Sequence, residues 1–253
     1  MSYDREFLLY GEKRNAVLGL REIQRYGTDS YGDPDYVSVY GMRPTQWHAK
    51  GIRLMGRTAV ECTRDDLGSA IGRDVASIAR GAVNTLVVDP FAGSGNTLYW
   101  LWHNLPGARG LGFELDAGVF ELTRKNFALL GLPIEILNTD YLSGLARLRA
   151  TSGSLLVVFI APPWGNALDP ISGLDLRRTQ PPISEIVDQL LRHCDRCRLL
   201  CAIQIYETMK PESLAELESR FEWRALRMYG LDAPGRNHGV LLGTSGWRPP
   251  VEL

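Results

Sequence analysis

Two glycines follow an acidic residue in the segment Val87–Thr97, whose sequence is Val-Val-Asp-Pro-Phe-Ala-Gly-Ser-Gly-Asn-Thr. Because Gly93 and Gly95 have no Cβ, this turn can adopt positive φ angles and its backbone can approach a ligand closely. The helical pattern that follows would direct free N–H groups and the positive end of its dipole towards the same place. The segment therefore predicts a nucleotide-type cofactor loop at the carboxyl end of a strand.

Acidic residues end the next two predicted strands. Arg109–Phe113 leads into Glu114, which lies 21 residues after Gly93. An ionised carboxylate has only acceptor lone pairs and so suits the two hydroxyls of a ribose. An exposed acid in a turn is the alternative for Glu114, and a plain loop aspartate is the alternative for Asp140.

The segment Leu155–Gly165 has the sequence Leu-Leu-Val-Val-Phe-Ile-Ala-Pro-Pro-Trp-Gly. Its continuous apolar run is typical of a strand that is buried on both faces. Two prolines end the strand because neither can donate a hydrogen bond to a sheet. We expect Trp164 to lie above the carboxyl edge of the sheet.

These motifs resemble those of class I S-adenosylmethionine (SAM)-dependent methyltransferases. Asp-Pro-Phe-Ala-Gly-Ser-Gly resembles their motif I, which cradles the methionine part of SAM, whereas Leu98 replaces the third glycine of a dehydrogenase loop. Ala161-Pro-Pro-Trp164 resembles the Asn/Asp/Ser-Pro-Pro-Tyr/Trp motif of amino-methyltransferases. There, the first side chain and the fixed carbonyls hold an amine while the aromatic ring stacks on the substrate.

Pro-Pro-Trp-Gly after this motif I resembles the trimethylguanosine synthase family, which methylates guanine N2 of RNA caps. The likeness extends over roughly residues 50–166 and includes Gly51–Leu54, Val60–Thr63 and a predicted helix from Asp65 to about Arg80. In that family a threonine helps to close over SAM, and Thr63 is the matching position.

The resemblance implies a set of cofactor contacts that lie on the loop, the two strand ends and the upstream segment. These are Thr63, Asp89, Phe91, Ala92, Gly93, Gly95, Asn96, Thr97, Glu114, Asp140 and Tyr141. In the family, the acid at position 140 accepts a hydrogen bond from the adenine amino group and the next side chain covers the ring.

The catalytic residues on the acceptor side are predicted to be Ala161, Pro162 and Trp164, with Trp47 and His238 as further substrate contacts. His238 could also act as a base, and an ordinary histidine in a surface loop is the alternative. The family's polar first residue is Ala161 here, and a methyl group cannot accept a hydrogen bond. The carbonyls of Ala161 and Pro162 remain for an amine. A ring nitrogen, a secondary amine, a hydroxyl or a carbon stays open as the methylated atom.

The composition and charge of the chain limit the kinds of partner that it could bind. The chain has 253 residues, 45% of them hydrophobic, which is enough for one large domain. No stretch approaches the ~20 apolar residues of a membrane helix, and the N-terminus has no signal-peptide pattern, so we expect a cytoplasmic protein without a membrane partner. The 28 basic and 29 acidic residues give a net charge of −1, which favours a planar small molecule over RNA but leaves RNA possible.

Four cysteines raise the question of a metal site. Cys194 and Cys197 follow His193, and Cys201 lies in a predicted strand. A structural zinc site usually has two separated pairs of ligands, which this chain lacks. We therefore predict no metal and expect reduced thiols.

Alternating strand and helix patterns predict a Rossmann-like α/β fold with a seven-stranded, mostly parallel sheet. The last two strands lack a helix between them and should form an antiparallel hairpin. The order 3-2-1-4-5-7-6 is implied by the resemblance. The predicted strands are Val83–Val88, Arg109–Phe113, Ile134–Leu137, Leu155–Ile160, Leu199–Ile205, Trp223–Tyr229 and Gly239–Thr244.

Residues 1–60 do not fit this pattern and are predicted as an aromatic-rich cap or arm, with residues 61–253 as the methyltransferase domain. The aromatic rings of residues 1–60 either stack on a planar ligand or anchor the arm to the domain.

The leading hypothesis is N-methylation of a planar heteroaromatic or nucleobase-like small molecule with SAM as cofactor. An RNA cap guanine-N2 methyltransferase and a SAM-binding regulator without turnover are the alternatives. The oligomeric state is left open.

Overall fold

The computed structural model describes residues 3–148, 153–169, 171–194, 197–230 and 238–250. The main strands are β1 Thr85–Asp89, β2 Arg109–Glu114, β3 Ile134–Asn138, β4 Leu155–Ile160, β5 Arg198–Tyr206, β6 Trp223–Tyr229 and β7 His238–Ser245. The described α-helices are α1 Arg5–Leu9, α2 Leu20–Tyr31, α3 Pro44–Ala49, α4 Gly56–Glu61, α5 Asp65–Ile78, α6 Asn96–Asn104, α7 Ala117–Leu129, α8 Tyr141–Ala146, α9 Ile183–His193 and α10 Pro211–Glu218. None of these helices combines the length and apolar character needed to cross a membrane.

The seven strands form one sheet in the order β3-β2-β1-β4-β5-β7-β6. β1 to β5 are parallel, and β7 runs antiparallel to both β5 and β6. The predicted fold class and strand order are therefore confirmed. β1 begins two residues later than predicted, since Val83 is 66% exposed and lies outside the sheet.

Each face of the sheet carries its own apolar core. Every residue of β4 is buried. Leu155, Val157 and Phe159 contribute to one core cluster, whereas alternate residues of the strand, such as Val158, contribute to the other. The prediction of a strand buried on both faces is confirmed, and the edge where β4 ends is held rigidly by packing from both sides.

The N-terminal segment packs into the first of these cores. Leu18, Ile23 and Ile52 belong to the same buried cluster as Val87 of β1. The ring of Tyr26 is also fully buried there. The segment is thus anchored by its own apolar side chains, and its role as a cover for the substrate mouth stays a prediction.

Two of the four cysteines form a disulfide. Cys194 and Cys197 are bonded, and their Cα atoms are 5.0 Å apart, within the range that a disulfide requires. The expectation of reduced thiols is wrong for this pair. Cys62 and Cys201 are free. Within the described ranges, no cluster of three or more His, Cys, Asp or Glu side chains is arranged to hold a metal.

Substituting Gly95 by alanine should destabilise the fold. Gly95 has φ +73°, and an added Cβ would lie 2.3 Å from Cζ of Phe127. Strain at positive φ and overpacking together predict a loss of about 2–4 kcal/mol in the free energy of unfolding. Guanidinium chloride denaturation would measure it.

Gly107→Ala is the matched control because Gly107 has φ +81° with no atom within 4 Å of the added Cβ. It should lose only the backbone contribution of about 1–2 kcal/mol. Equal losses in the two variants would contradict the assigned contact with Phe127.

Candidate cofactor and substrate site

The two loop glycines between β1 and α6 have different surroundings. Gly93 has φ +51°, and a Cβ built on it would meet nothing closer than 3.9 Å, so this side of the loop is open. Gly95, by contrast, is closed in by Phe127 and Thr123. The hydroxyl of Thr123 also donates to the carbonyl of Gly93 at 2.7 Å. Helix α7 therefore fixes the loop from behind and leaves its other side free for a ligand.

Glu114 connects this loop to the end of β2. Its Oε2 accepts a hydrogen bond from the N–H of Gly93 at 3.0 Å, and its Oε1 accepts one from the N–H of Asp116 at 2.8 Å. Burial raises the pKa of Glu114, and the two backbone bonds act in the opposite direction. Because a carboxylate oxygen has two lone pairs, each oxygen can still accept one further hydrogen bond, for example from a hydroxyl group.

Asp89 lies beneath the loop at the end of β1. It is 2% exposed, and its Oδ1 accepts a hydrogen bond from the N–H of Phe91 at 3.0 Å. Burial, with a smaller contribution from the nearby charge of Glu114, raises the pKa of Asp89 to about 7, although the hydrogen bond from Phe91 acts in the opposite direction. Asp89 thus supports the loop backbone from within.

Asp140 and Tyr141 lie after β3 at the same edge of the sheet. Asp140 caps helix α8 by accepting a hydrogen bond from the N–H of Ser143 at 2.9 Å, and its bonding to Ser143 lowers the pKa of Asp140. The rings of Tyr141 and Phe91 are 5.4 Å apart and tilted by 36°. The structure therefore brings these predicted residues together as one apolar wall beside an acid.

The sequence motifs do not single out Leu115, which is an exposed apolar side chain at the end of β2. Its side chain is 75% exposed immediately after Glu114. The amide of Asn138 donates to the carbonyls of Glu114 and Leu115 at 2.8 and 3.1 Å, which holds this strand end in place. The position of Leu115 directly after Glu114 makes it a candidate for a ligand contact.

Asn96 faces the N-terminal segment and is 1% exposed. Its Oδ1 accepts a hydrogen bond from the N–H of Tyr40 at 2.7 Å. Its Nδ2 donates to the carbonyl of Thr63 at 2.7 Å and to Asp65 at 3.1 Å. In the structure, Asn96 therefore links the loop to the residues around Thr63.

Ala92 and Thr97 are also buried, at 6% and 5% exposure. Any contact that they make with a cofactor stays a prediction.

On the acceptor side, Trp164 belongs to a cluster of three rings. Its centroid lies 5.6 Å from that of His238 with an angle of 21° between the planes, and 6.0 Å from that of Tyr206. Gln204 Nε2 approaches Nδ1 of His238 at 3.5 Å. Burial lowers the pKa of His238, and the positive charge of Arg64 lowers it by a smaller amount. The imidazole of His238 thus supports one face of the indole.

The hairpin loop that precedes His238 lies outside the described residues. Pro162 is buried and Ala161 partly buried. No described backbone hydrogen bond uses the carbonyl of either residue.

The prediction of Trp47 as a substrate contact is wrong. Its side chain has no exposed surface, and its indole N–H donates to the carbonyl of Val37 at 3.0 Å. Both the faces and the polar edge of the ring are used within the N-terminal core.

The fold is that of class I SAM-dependent methyltransferases. A Listeria monocytogenes protein assigned to that class superposes with a TM-score of 0.52 at 14% identity, covering 76% of this chain and 64% of its own. The present chain therefore spans less than two thirds of that protein. The methyltransferase domain of human METTL16 gives a TM-score of 0.53 at 16% identity, covering 73% of this chain and 84% of its own. A second crystal form of that domain gives a TM-score of 0.51 at 17% identity, covering 72% of this chain and 67% of its own.

No protein-family model matches the sequence, and no curated protein matches it. The similarity to known proteins thus lies in the fold.

Substituting Asp89 by asparagine should alter the pH dependence of stability. Folding raises the pKa of Asp89 from 3.8 to about 7, so the folded protein keeps a proton that the unfolded chain has lost. Its contribution to stability is therefore complete below the lower value and disappears as the pH rises through the upper one. The stability of Asp89→Asn relative to the parent protein should increase with pH in this window, by at most about 1.4 kcal/mol per pH unit.

Urea denaturation at a series of pH values would measure this difference. Asp140→Asn is the control, because the pKa of Asp140 is lowered and so lies below the window. Its difference from the parent protein should stay constant there. A flat profile for Asp89→Asn would contradict the raised pKa.

Proposed function

We propose that this protein is a SAM-dependent methyltransferase that methylates a nitrogen of a planar heteroaromatic or nucleobase-like small molecule. The observation that carries the proposal is the placement of two sites on neighbouring strands. The open glycine loop and Glu114 lie at the ends of β1 and β2, and Trp164 follows the end of β4, which pairs with β1. A donor and an acceptor bound at these places would meet at one edge of the sheet.

The residues present fit SAM. Glu114 has free acceptor capacity for the ribose hydroxyls, and the open side of Gly93 leaves room for the methionine part. Phe91, Tyr141 and the exposed Leu115 offer apolar surface for the adenine, with Asp140 as an acceptor for its amino group. SAM, when bound, supplies a methyl group that is already activated by its sulfonium charge.

The protein contributes alignment and exclusion of water, which are effective when the donor is already reactive. Trp164 would stack on the acceptor with the ring face that His238 does not cover. The carbonyls of Ala161 and Pro162 would accept hydrogen bonds from an amine and direct its lone pair towards the donor. An amine can release its proton after transfer, so the mechanism requires no strong base.

Substituting Glu114 by glutamine should weaken SAM binding. The neutral amide replaces one acceptor oxygen with a donor, and charge-assisted hydrogen bonds contribute about 1.5–3 kcal/mol. Isothermal titration calorimetry should therefore show the Kd for SAM rising by roughly 10- to 100-fold.

Glu135→Gln is the matched control, since Glu135 is an exposed residue of the neighbouring strand β3. It should leave the Kd unchanged. Unaltered SAM binding in Glu114→Gln would remove this carboxylate from the proposed cofactor site.

Substituting Trp164 by alanine should reduce turnover strongly and largely spare SAM binding. Loss of ring stacking removes alignment of the acceptor, and misplaced reactants commonly lose about 100-fold in rate. Radiolabelled methyl transfer to a panel of planar heteroaromatic amines would measure the rate, and calorimetry would measure the affinity for SAM.

Trp164→Phe keeps an aromatic face and should recover part of the rate. Equal losses of turnover and SAM affinity in the alanine variant would contradict the stacking role.

Guanine-N2 methylation of RNA is the second candidate, favoured by the resemblance of Pro162-Pro163-Trp164-Gly165 to the trimethylguanosine synthase family. The net charge of −1 disfavours it. Filter-binding measurement of labelled methyl groups on capped and structured RNA would support this candidate if RNA were methylated in preference to small heteroaromatics.

Ala161 favours a third candidate, a SAM-binding regulator without turnover, because it cannot replace the polar side chain of the amine-methylating motif. This candidate would be supported if the protein bound SAM but formed no S-adenosylhomocysteine (SAH) with either the heteroaromatic amines or the RNA substrates.

A further inference from the structure

A groove lies on the side of helix α7 that faces away from the glycine loop. The inner side of the helix carries Thr123, which bonds the carbonyl of Gly93. The groove encloses about 460 Å³, within the range of roughly 300–1,000 Å³ that is typical of small-molecule sites. Neither candidate site uses the residues of its walls, which include Arg53, Leu122, Arg124, Lys125, Asn126 and Leu129.

The two walls of the groove are fastened to each other. The side-chain amide of Asn126 accepts a hydrogen bond from the N–H of Arg53 at 3.1 Å and donates one to its carbonyl at 2.9 Å. Asn126 is 1% exposed. Gly51 has φ +86°, and an added Cβ would lie 3.5 Å from Cδ1 of Leu129, so the backbone there lies against the end of the helix. The groove is therefore formed before any ligand binds.

The guanidinium of Arg53 is anchored through one of its three nitrogens. Its Nη1 donates to the carbonyls of His48 at 2.9 Å and of Ile52 at 2.7 Å. Within the described ranges, Nε and Nη2 have no hydrogen-bond partner, and neither atom is buried. These two nitrogens carry three N–H groups along one edge of the guanidinium, an arrangement that matches two oxygens of an anion.

This anchoring distinguishes Arg53 from other arginines of the N-terminal segment. Among the residues that the structure describes, Arg5, Arg14 and Arg21 also form no ion pair. Their guanidinium groups, however, make no described hydrogen bond and do not line the groove. Arg53 thus combines a fixed position with unused donors.

The charge around the groove is positive, although the whole chain carries −1. Arg53, Arg124 and Lys125 line it, and no acidic residue does. Glu121 lies nearby and pairs with Arg124 at 2.8 Å. Three cations and one carboxylate leave a net charge of +2. A phosphate monoester carries about −1.5 to −2 at pH 7 and balances this charge, whereas a single carboxylate would balance half of it.

We propose that this groove is a second ligand site, which binds a phosphate monoester with an apolar or aromatic body. Nε and Nη2 of Arg53 bind two phosphate oxygens, and Arg124 and Lys125 supply the remaining positive charge. The body of the ligand lies on Leu122 and on Leu129, which is 56% exposed. The site is independent of the proposed methyltransferase function.

The test is calorimetric titration with 1-naphthyl phosphate, 1-naphthol and inorganic phosphate. The ester should bind about tenfold more tightly than either of the others, because naphthol lacks the charge and inorganic phosphate lacks the apolar body. Hexauridylate with a free 5′-hydroxyl, which has only internal phosphodiesters, separates a nucleic-acid strand from a small ester. It should bind more weakly than the ester at physiological salt.

Arg53→Gln should raise the Kd for naphthyl phosphate by about 10- to 100-fold, and Arg53→Lys should recover part of the affinity, because a lysine keeps the charge without the planar fork. Lys125→Gln changes an exposed side chain that the core does not use, and it should raise the Kd by a smaller factor. Arg21→Gln is the matched control, since Arg21 is exposed and lies outside the groove. That variant should keep the Kd of the parent protein.

Trp164→Ala shows whether the probe has entered the candidate acceptor site instead. Naphthyl phosphate should bind this variant as it binds the parent protein, and a loss of binding would overturn the inference. It is also overturned if Arg53→Gln and Lys125→Gln both keep the affinity, if the ester binds no more tightly than naphthol or inorganic phosphate, or if hexauridylate binds more tightly than the ester. None of these results depends on SAM binding or methyl transfer, so the two proposals can fail separately.

Discussion

The side-chain amide of Asn96 joins three parts of the molecule. Its oxygen accepts from the backbone of Tyr40, and its nitrogen donates to Thr63 and Asp65. Asp65 also accepts from the indole N–H of Trp100 on helix α6 at 2.7 Å. An amide that is buried with unmet hydrogen bonds costs free energy, so this arrangement tolerates little displacement. The glycine loop and the N-terminal segment are joined through it.

The antiparallel hairpin contributes to the surroundings of Trp164. His238 begins β7 and pairs in register with Tyr206 at the end of β5. Both rings contact Trp164. The proline-terminated strand β4 supplies the indole, whereas the hairpin holds it. An indole supported by two neighbours loses less rotational freedom when a planar ligand stacks on it, which favours binding.

The sequence predicted the parts of the site that depend on local chemistry. Gly93 and Gly95 have the positive φ angles that their lack of a Cβ allows, and Glu114 ends its strand beside them. The apolar run in β4 predicted complete burial because no polar residue interrupts it. The antiparallel hairpin was predictable because the segment between the last two strands has no helical pattern, and a parallel connection would need one to cross the sheet. Each of these features is set mainly by residues that are close together in the sequence.

Features that depend on distant residues were not predictable in the same way. Trp47 is an aromatic residue near polar ones, and nothing in its neighbourhood shows that Val37 accepts its N–H. The contact between Trp164 and His238 joins residues of different strands, and its geometry follows only from the sheet. Helices α1, α3 and α4 have only five or six residues each, which is too few turns for a clear apolar period. The bond between Cys194 and Cys197 requires a Cα separation of 5.0 Å, which their spacing in the sequence does not reveal.

The N-terminal segment shares an apolar core with the sheet, so residue 60 is not the end of an independent unit. Grafting this segment onto another protein of the same fold would transfer Tyr40 without the buried amide that accepts its N–H. A transplant that worked would need position 96, the acid at 65 and the indole at 100 to move with it. The N-terminal segment and the glycine loop thus form one structural unit, so a substitution in either is expected to be felt by the other.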